Sequence, residues 1–240
     1  MKPTLQLVLI ILILSTNLSV LQAQKFQPGT FSFSGKKNAY VTLQDGTQLQ
    51  GNIKDLDRKK GLIEEVVLEN VDGSNKKRKL KPAEIKHMYL PPSGWDKLGK
   101  SLDFLSDATQ WDNVDLDKDI IGKGYVFFEQ APIRIGKKTR NLLVQLVNPS
   151  FSGKLKVYFD PLAKETTSLG IGGITMVGGD EKSYYVRKGN AAAYRLKKAD
   201  YNEEFKPLFE DCADLFSKYG KDPKWADIEQ HVFEYAKTCK

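Results

Sequence analysis

The chain has 240 residues, 40% hydrophobic and 10% aromatic, which excludes a disordered protein and supplies a core for one elaborate domain or two small ones. Its formal net charge is +7. With only two cysteines it does not rest on a dense disulfide framework, and no apolar run reaches the length of about 20 residues that a membrane-spanning helix needs.

The chain opens with one cation, Lys2, then the apolar run from Leu7 to Leu14, the polar break Ser15-Thr16-Asn17, and Leu21-Gln22-Ala23. That is the layout of a cleavable export signal over residues 1–23, with an uncleaved anchor as the alternative. No cysteine lies near Ala23 to carry a lipid. The mature protein is therefore expected to be soluble, without a membrane span, in the periplasm or outside the cell. Residues 24–39, rich in Gly, Ser and Lys, read as a flexible lead-in.

Residues 40–90 carry the signals of a small β-barrel-like unit. Tyr40 to Gln44 alternates, Asp45-Gly46 turns, and Leu49, Gly51 and Ile53 continue with a period of two. Ile63 to Val71 and Ile85 to Leu90 add strands, separated by turns at Asp72-Gly73 and Lys81 to Glu84. Short strands in this number hide their edges by curling. Pro91-Pro92 ends the unit, and residues 91–123 read as a linker with a short helix near 95–106.

Residues 124–198 form a second β region, with strands at Tyr125 to Glu129, Leu142 to Val147, Lys154 to Phe159, Tyr184 to Arg187 and Tyr194 to Leu196. Leu155, Val157 and Phe159 alternate with Lys154, Lys156 and Tyr158, which marks an antiparallel sheet with one buried face. Residues 199–240 switch to a helical period. Leu208, Cys212, Leu215 and Tyr219 share one face, Gly220 stops the helix, and Ile228, Val232, Tyr235 and Cys239 repeat the spacing on a second. Pro207 is expected to kink or restart the first helix. The fold expected is α+β: a small N-terminal barrel, an antiparallel sheet, and a C-terminal αα-hairpin.

Five groups are candidates for chemistry. Cys212 and Cys239, both on buried helix faces, pair as a disulfide in an exported chain or stay as two buried thiols. In two uninterrupted helices they would lie at unequal heights, about 12 Å and about 18 Å from the turn. Lys76, Lys77, Arg78, Lys79 and Lys81 form the strongest basic run, either a solvated hairpin or a site for an acidic glycan or phosphate polymer. No aromatic residues interleave with it, so nucleic acid is not an expected partner.

Asp115, Asp117 and Asp119 share the first three ligand positions of a calcium loop. Ile120 replaces that loop's glycine and Val126 its bidentate Glu, so an acidic surface loop is the competing reading. Gly170 to Gly173 and Gly136 to Thr139 fail as phosphate loops, and no cofactor is expected. His87 and His231 have no local nucleophile or ligand spacing. A glycan-active hydrolase built from distant carboxylates is an alternative to the leading expectation, a non-catalytic exported protein that binds an envelope protein or a glycan.

Two resemblances add to this. Val41 to Gly51 resembles the opening hairpin of SH3-like and Sm-like small barrels, without the later Ile-Arg-Gly type signature, so no RNA-binding role is implied. Lys182 to Gly189, Tyr194 to Lys198, Phe209 to Cys212 and Tyr235 to Cys239 together resemble exported proteins common in Bacteroidota. Those join a signal peptide, β strands and a helical tail with an "fxDC" and a closing "Y-x-x-x-C". The resemblance implies export and cysteine pairing, and no substrate.

Overall fold

The computed structural model describes residues 25–94, 111–113, 115–163 and 182–239. The expected export signal and the helix expected near 95–106 lie outside them. The described chain is α+β, with a ten-stranded antiparallel sheet, one short helix in mid-chain and further helices at the C-terminal end.

The first half is a meander of β1 (Asn38–Leu43), β2 (Gln48–Lys59), β3 (Leu62–Glu69) and β4 (Arg78–Leu80), after which β5 (Ile85–Leu90) returns to pair with β1. β1 buries every second residue, as a strand with one face on a core must. Its turn to β2 is closed by the Asp45 carboxylate, which accepts from Thr47 N at 2.9 Å. The turn from β2 to β3 puts Lys60 and Gly61 at φ 50° and 78°. A Cβ on Gly61 would stand 2.7 Å from the carbonyl oxygen of Pro161, so glycine is required there on both counts. Shifts of register after Ile53 and after Asp57 bend β2 so that β3 and β4 turn over the core.

The second half is β6 (Val126–Ile135), β7 (Lys138–Leu146), β8 (Leu155–Phe159), β9 (Ser183–Lys188) and β10 (Tyr194–Lys197), with α1 (Lys118–Gly122) before it. The strand order is β10-β9-β8-β7-β6-β5-β1-β2-β3-β4. The sheet is not closed into a barrel, which corrects the barrel-like N-terminal unit expected over 40–90. That unit hides an edge by a different route: β5 pairs with β6, from His87 opposite Glu129 to Leu90 opposite Val126, so the two β regions are one sheet.

Residues 24–39, expected to be a flexible lead-in, are held from Phe26 onward. The Phe26 side chain is buried against Phe151 and Tyr184, and Gln27 N donates to Val147 O at 2.7 Å. Thr30 N donates to the buried Gln145 side chain at 2.8 Å, and Ser34 N to Pro91 O at 2.8 Å. The strap thus lies across β7 and the end of β5.

The expected two-helix hairpin is three helices: α2 (Tyr201–Phe209), α3 (Ala213–Tyr219) and α4 (Ile228–Thr238). Pro207 is tolerated inside α2, which ends two residues later. Cys212 leaves the helical region at φ −122°, ψ 90° and stands at the N-terminus of α3. This break removes the unequal heights expected of continuous helices. Cys212 and Cys239 come to disulfide distance, with sulfurs 1.91 Å and Cα atoms 5.3 Å apart. The helices pack on one face of β7 to β10 through Val147, Val157, Phe159, Tyr184 and Val186, which meet Phe205, Phe209, Trp225 and Val232.

Candidate ligand groove

Antiparallel register aligns the side chains of one face in two rows. Gln50, Tyr40, Tyr89 and Phe127 stand opposite one another across β2, β1, β5 and β6, and Gln48, Thr42, His87 and Glu129 form the next row. The rings interlock. Tyr89 and Phe127 lie 5.0 Å apart between centroids, His87 lies 5.6 Å from Phe127, and Tyr40 packs at 5.8 Å on Tyr125.

Two walls rise over this floor. On one side Asp72 accepts from Gln50 N at 3.1 Å. On the other, the loop into α1 is fixed by Asp117 N donating to the Tyr89 hydroxyl at 2.9 Å, and by the Asp117 carboxylate capping α1 through Ile120 N at 3.0 Å. Asp115 N donates to the buried Asn113 side chain at 3.0 Å. Between the walls is an open groove of about 690 Å³, whose lining includes Tyr40, Thr42, Gln48, Gln50, His87 and Tyr89, with Asp72, Asp115 and Asp117. A volume of this size suits a small ligand or a side chain of a larger one. Among the described residues no Lys or Arg lines it.

Burial holds the half-buried His87 imidazole below its ordinary value, with Lys86 acting in the same direction and Glu129 against it. The ring is therefore neutral at neutral pH. Burial likewise pushes the Tyr89 phenol up, away from any role as a base. Asp117 and Asp72 each spend an oxygen on backbone donors, so the groove offers a ligand rings, amides and carboxylates, with no nucleophile hydrogen-bonded to a base among the described residues.

The other sequence candidates lie elsewhere. Lys76, Lys77, Arg78, Lys79 and Lys81 are exposed on β4 and its two flanks, at the end of the sheet among the described residues. Lys79 and Lys81 both turn to Glu65, at 3.2 and 2.9 Å. Cations on an end strand also discourage pairing with another chain. Of the three aspartates of the calcium-like spacing, Asp115 and Asp117 reach the groove and Asp119 lies in the first turn of α1. Among the described residues no group of three His, Cys, Asp or Glu is placed to hold a metal ion.

His231 is fully buried between helices, with Nδ1 2.7 Å from the Tyr201 hydroxyl and its ring 4.3 Å from Tyr219. Burial drops its pKa to about 4. Folding therefore excludes a proton that the unfolded imidazole binds below about pH 6.5. This contribution is complete above that pH and is lost as pH falls toward 4. The expected result is a decline of up to about 3 kcal/mol across the window in urea unfolding, absent in His231→Phe. An equal decline in the variant would assign the acid sensitivity to other groups.

The rows that make the groove were not singled out in the sequence. Tyr40 and Thr42 signal one face of a strand, as His87 and Tyr89 do, but nothing local says that the two faces meet. Comparison with known protein families, curated proteins and solved structures finds no match for the chain.

Proposed function

We propose that the protein is an exported, non-catalytic binding protein that takes its ligand in the groove over β1, β2 and β5. The observation that carries this reading is the floor itself: two cross-strand rows put ring, amide and hydroxyl groups on a rigid sheet, where little conformational entropy is lost on binding. The groups best placed for acid-base work are already committed to capping and to backbone donors. Export is supported by the layout of residues 1–23 and by the cysteine pair, which suits an oxidising compartment.

The test is titration calorimetry of the secreted protein against neutral oligosaccharides, acidic oligosaccharides, and basic and acidic peptides, with product analysis of each mixture. Binding without turnover is expected, weakened at least about tenfold by Tyr40→Ala, with the melting temperature of that variant monitored in parallel. Neutralising Lys76, Lys77 and Arg78 is expected to leave it unchanged. Turnover of any probe, or binding indifferent to Tyr40→Ala, would overturn the reading. The mass of the secreted chain should place its first residue at Gln24.

A further inference from the structure

We infer that the groove recognises a cation: the Lys or Arg side chain of an exposed, basic segment on a partner protein. This rests on the groove being the binding site and adds the chemistry of what enters it. Asp72, Asp115 and Asp117 all face the groove, from opposite walls, and none of them is in an ion pair among the described residues. A concave surface with carboxylates of one sign over apolar walls concentrates counter-charge.

The floor suits the same guest. His87 is neutral, so among the described residues no lining cation competes at neutral pH: Thr42 and Glu129 flank it across the strands, and Lys86 is on the neighbouring, outward position. The packed floor of Tyr40 and Tyr89 is an apolar surface on which the methylenes of a long basic side chain can lie. A sugar would need a broad open ring to stack on, and Tyr89 is 6% exposed while Tyr40 is half covered and tilted on Tyr125. Among the described residues an anion would meet three carboxylates and no cation.

The charge of the whole chain sharpens the choice. Without Lys2 of the expected export signal the net charge is 7 − 1 = +6, which disfavours a basic partner away from a site that carries carboxylates. That contrast sets orientation and rejects other docking modes.

The test uses a triarginine peptide, its citrulline counterpart of equal shape without charge, and cellohexaose, each titrated at 20 and at about 300 mM NaCl. The arginine peptide is expected to bind at least about tenfold more tightly than the citrulline peptide and to weaken severalfold with salt. Asp72→Asn and Asp115→Asn should each weaken it severalfold at unchanged melting temperature, and Lys76→Gln with Lys77→Gln should not. Cellohexaose binding that is insensitive to salt but lost in Tyr40→Ala would overturn the cation inference while keeping the groove as a site. Failure of the arginine peptide to bind, or binding that ignores both Asp variants, also overturns it, and probes of every class indifferent to Tyr40→Ala would remove the groove reading as well.

Discussion

Asp160→Ala is expected to lower the unfolding free energy by about 3 to 5 kcal/mol. Asp160 follows directly on β8 with its side chain wholly buried. Its carboxylate accepts from Arg195 Nε at 2.8 Å, from a second guanidinium nitrogen at 3.2 Å, from Ser183 Oγ at 2.7 Å and from Leu162 N at 3.0 Å. Arg195 is in turn held by the Tyr185 hydroxyl at 3.0 Å. A charge this deeply buried is tolerated because every acceptor site is used, and deletion strands four donors at once.

The pair is asymmetric, since the Arg195 side chain keeps 35% of its exposure and Asp160 none. Arg195→Leu leaves a buried carboxylate without a counter-charge, so its cost is expected to match or exceed that of Asp160→Ala. The double substitution should cost less than the sum of the two, by a coupling of about 1 to 3 kcal/mol. Urea unfolding of the four proteins measures this, and strictly additive losses would mean that the bonds contribute separately.

Cys212→Ser with Cys239→Ser is expected to cost about 3 to 4 kcal/mol, or about 10 °C in melting temperature for a chain of this size. The bridge joins residues 27 positions apart and ties the start of α3 to the end of α4, two helices that otherwise meet through short contacts. Both cysteines are buried, 4% and 6% exposed, so paired alanines should be run beside the serines to separate crosslink from polarity. Reduced wild type should melt with the variants. Equal melting of oxidised and reduced protein would show that the bridge carries no stability, and alkylation of the native protein without reductant should leave its mass unchanged.

Much of the sheet was legible because its signals are local. Ile85 to Leu90 is strand β5 to the residue, and the alternation of Leu155, Val157 and Phe159 places those three on the helix-covered face. What was not legible is pairing between distant segments. Nothing in His87 or Glu129 announces that they stand opposite one another, and that single register decides between a closed small barrel and a continuous sheet. The break at Cys212 escaped for a related reason: the apolar period runs on through it, and the turn is imposed by tertiary packing rather than by Gly or Pro. The groove combines both problems. Its floor comes from β1, β2 and β5, but Asp115 and Asp117 arrive from far along the chain, so a calcium-like spacing in sequence became one wall of a cleft.

The strap from Phe26 to Ser34 also bears on the order in which the molecule can assemble. Gln27 and Thr30 find their partners at Val147 and Gln145, so residues made early in synthesis wait for more than a hundred others before they can settle. Contacts of such long range close slowly. On the proposed export route such a delay would help keep the chain threadable through a translocation channel. Folding would then be completed on the far side, where thiols oxidise, with Phe26 seating between Phe151 and Tyr184 as one of the closing steps.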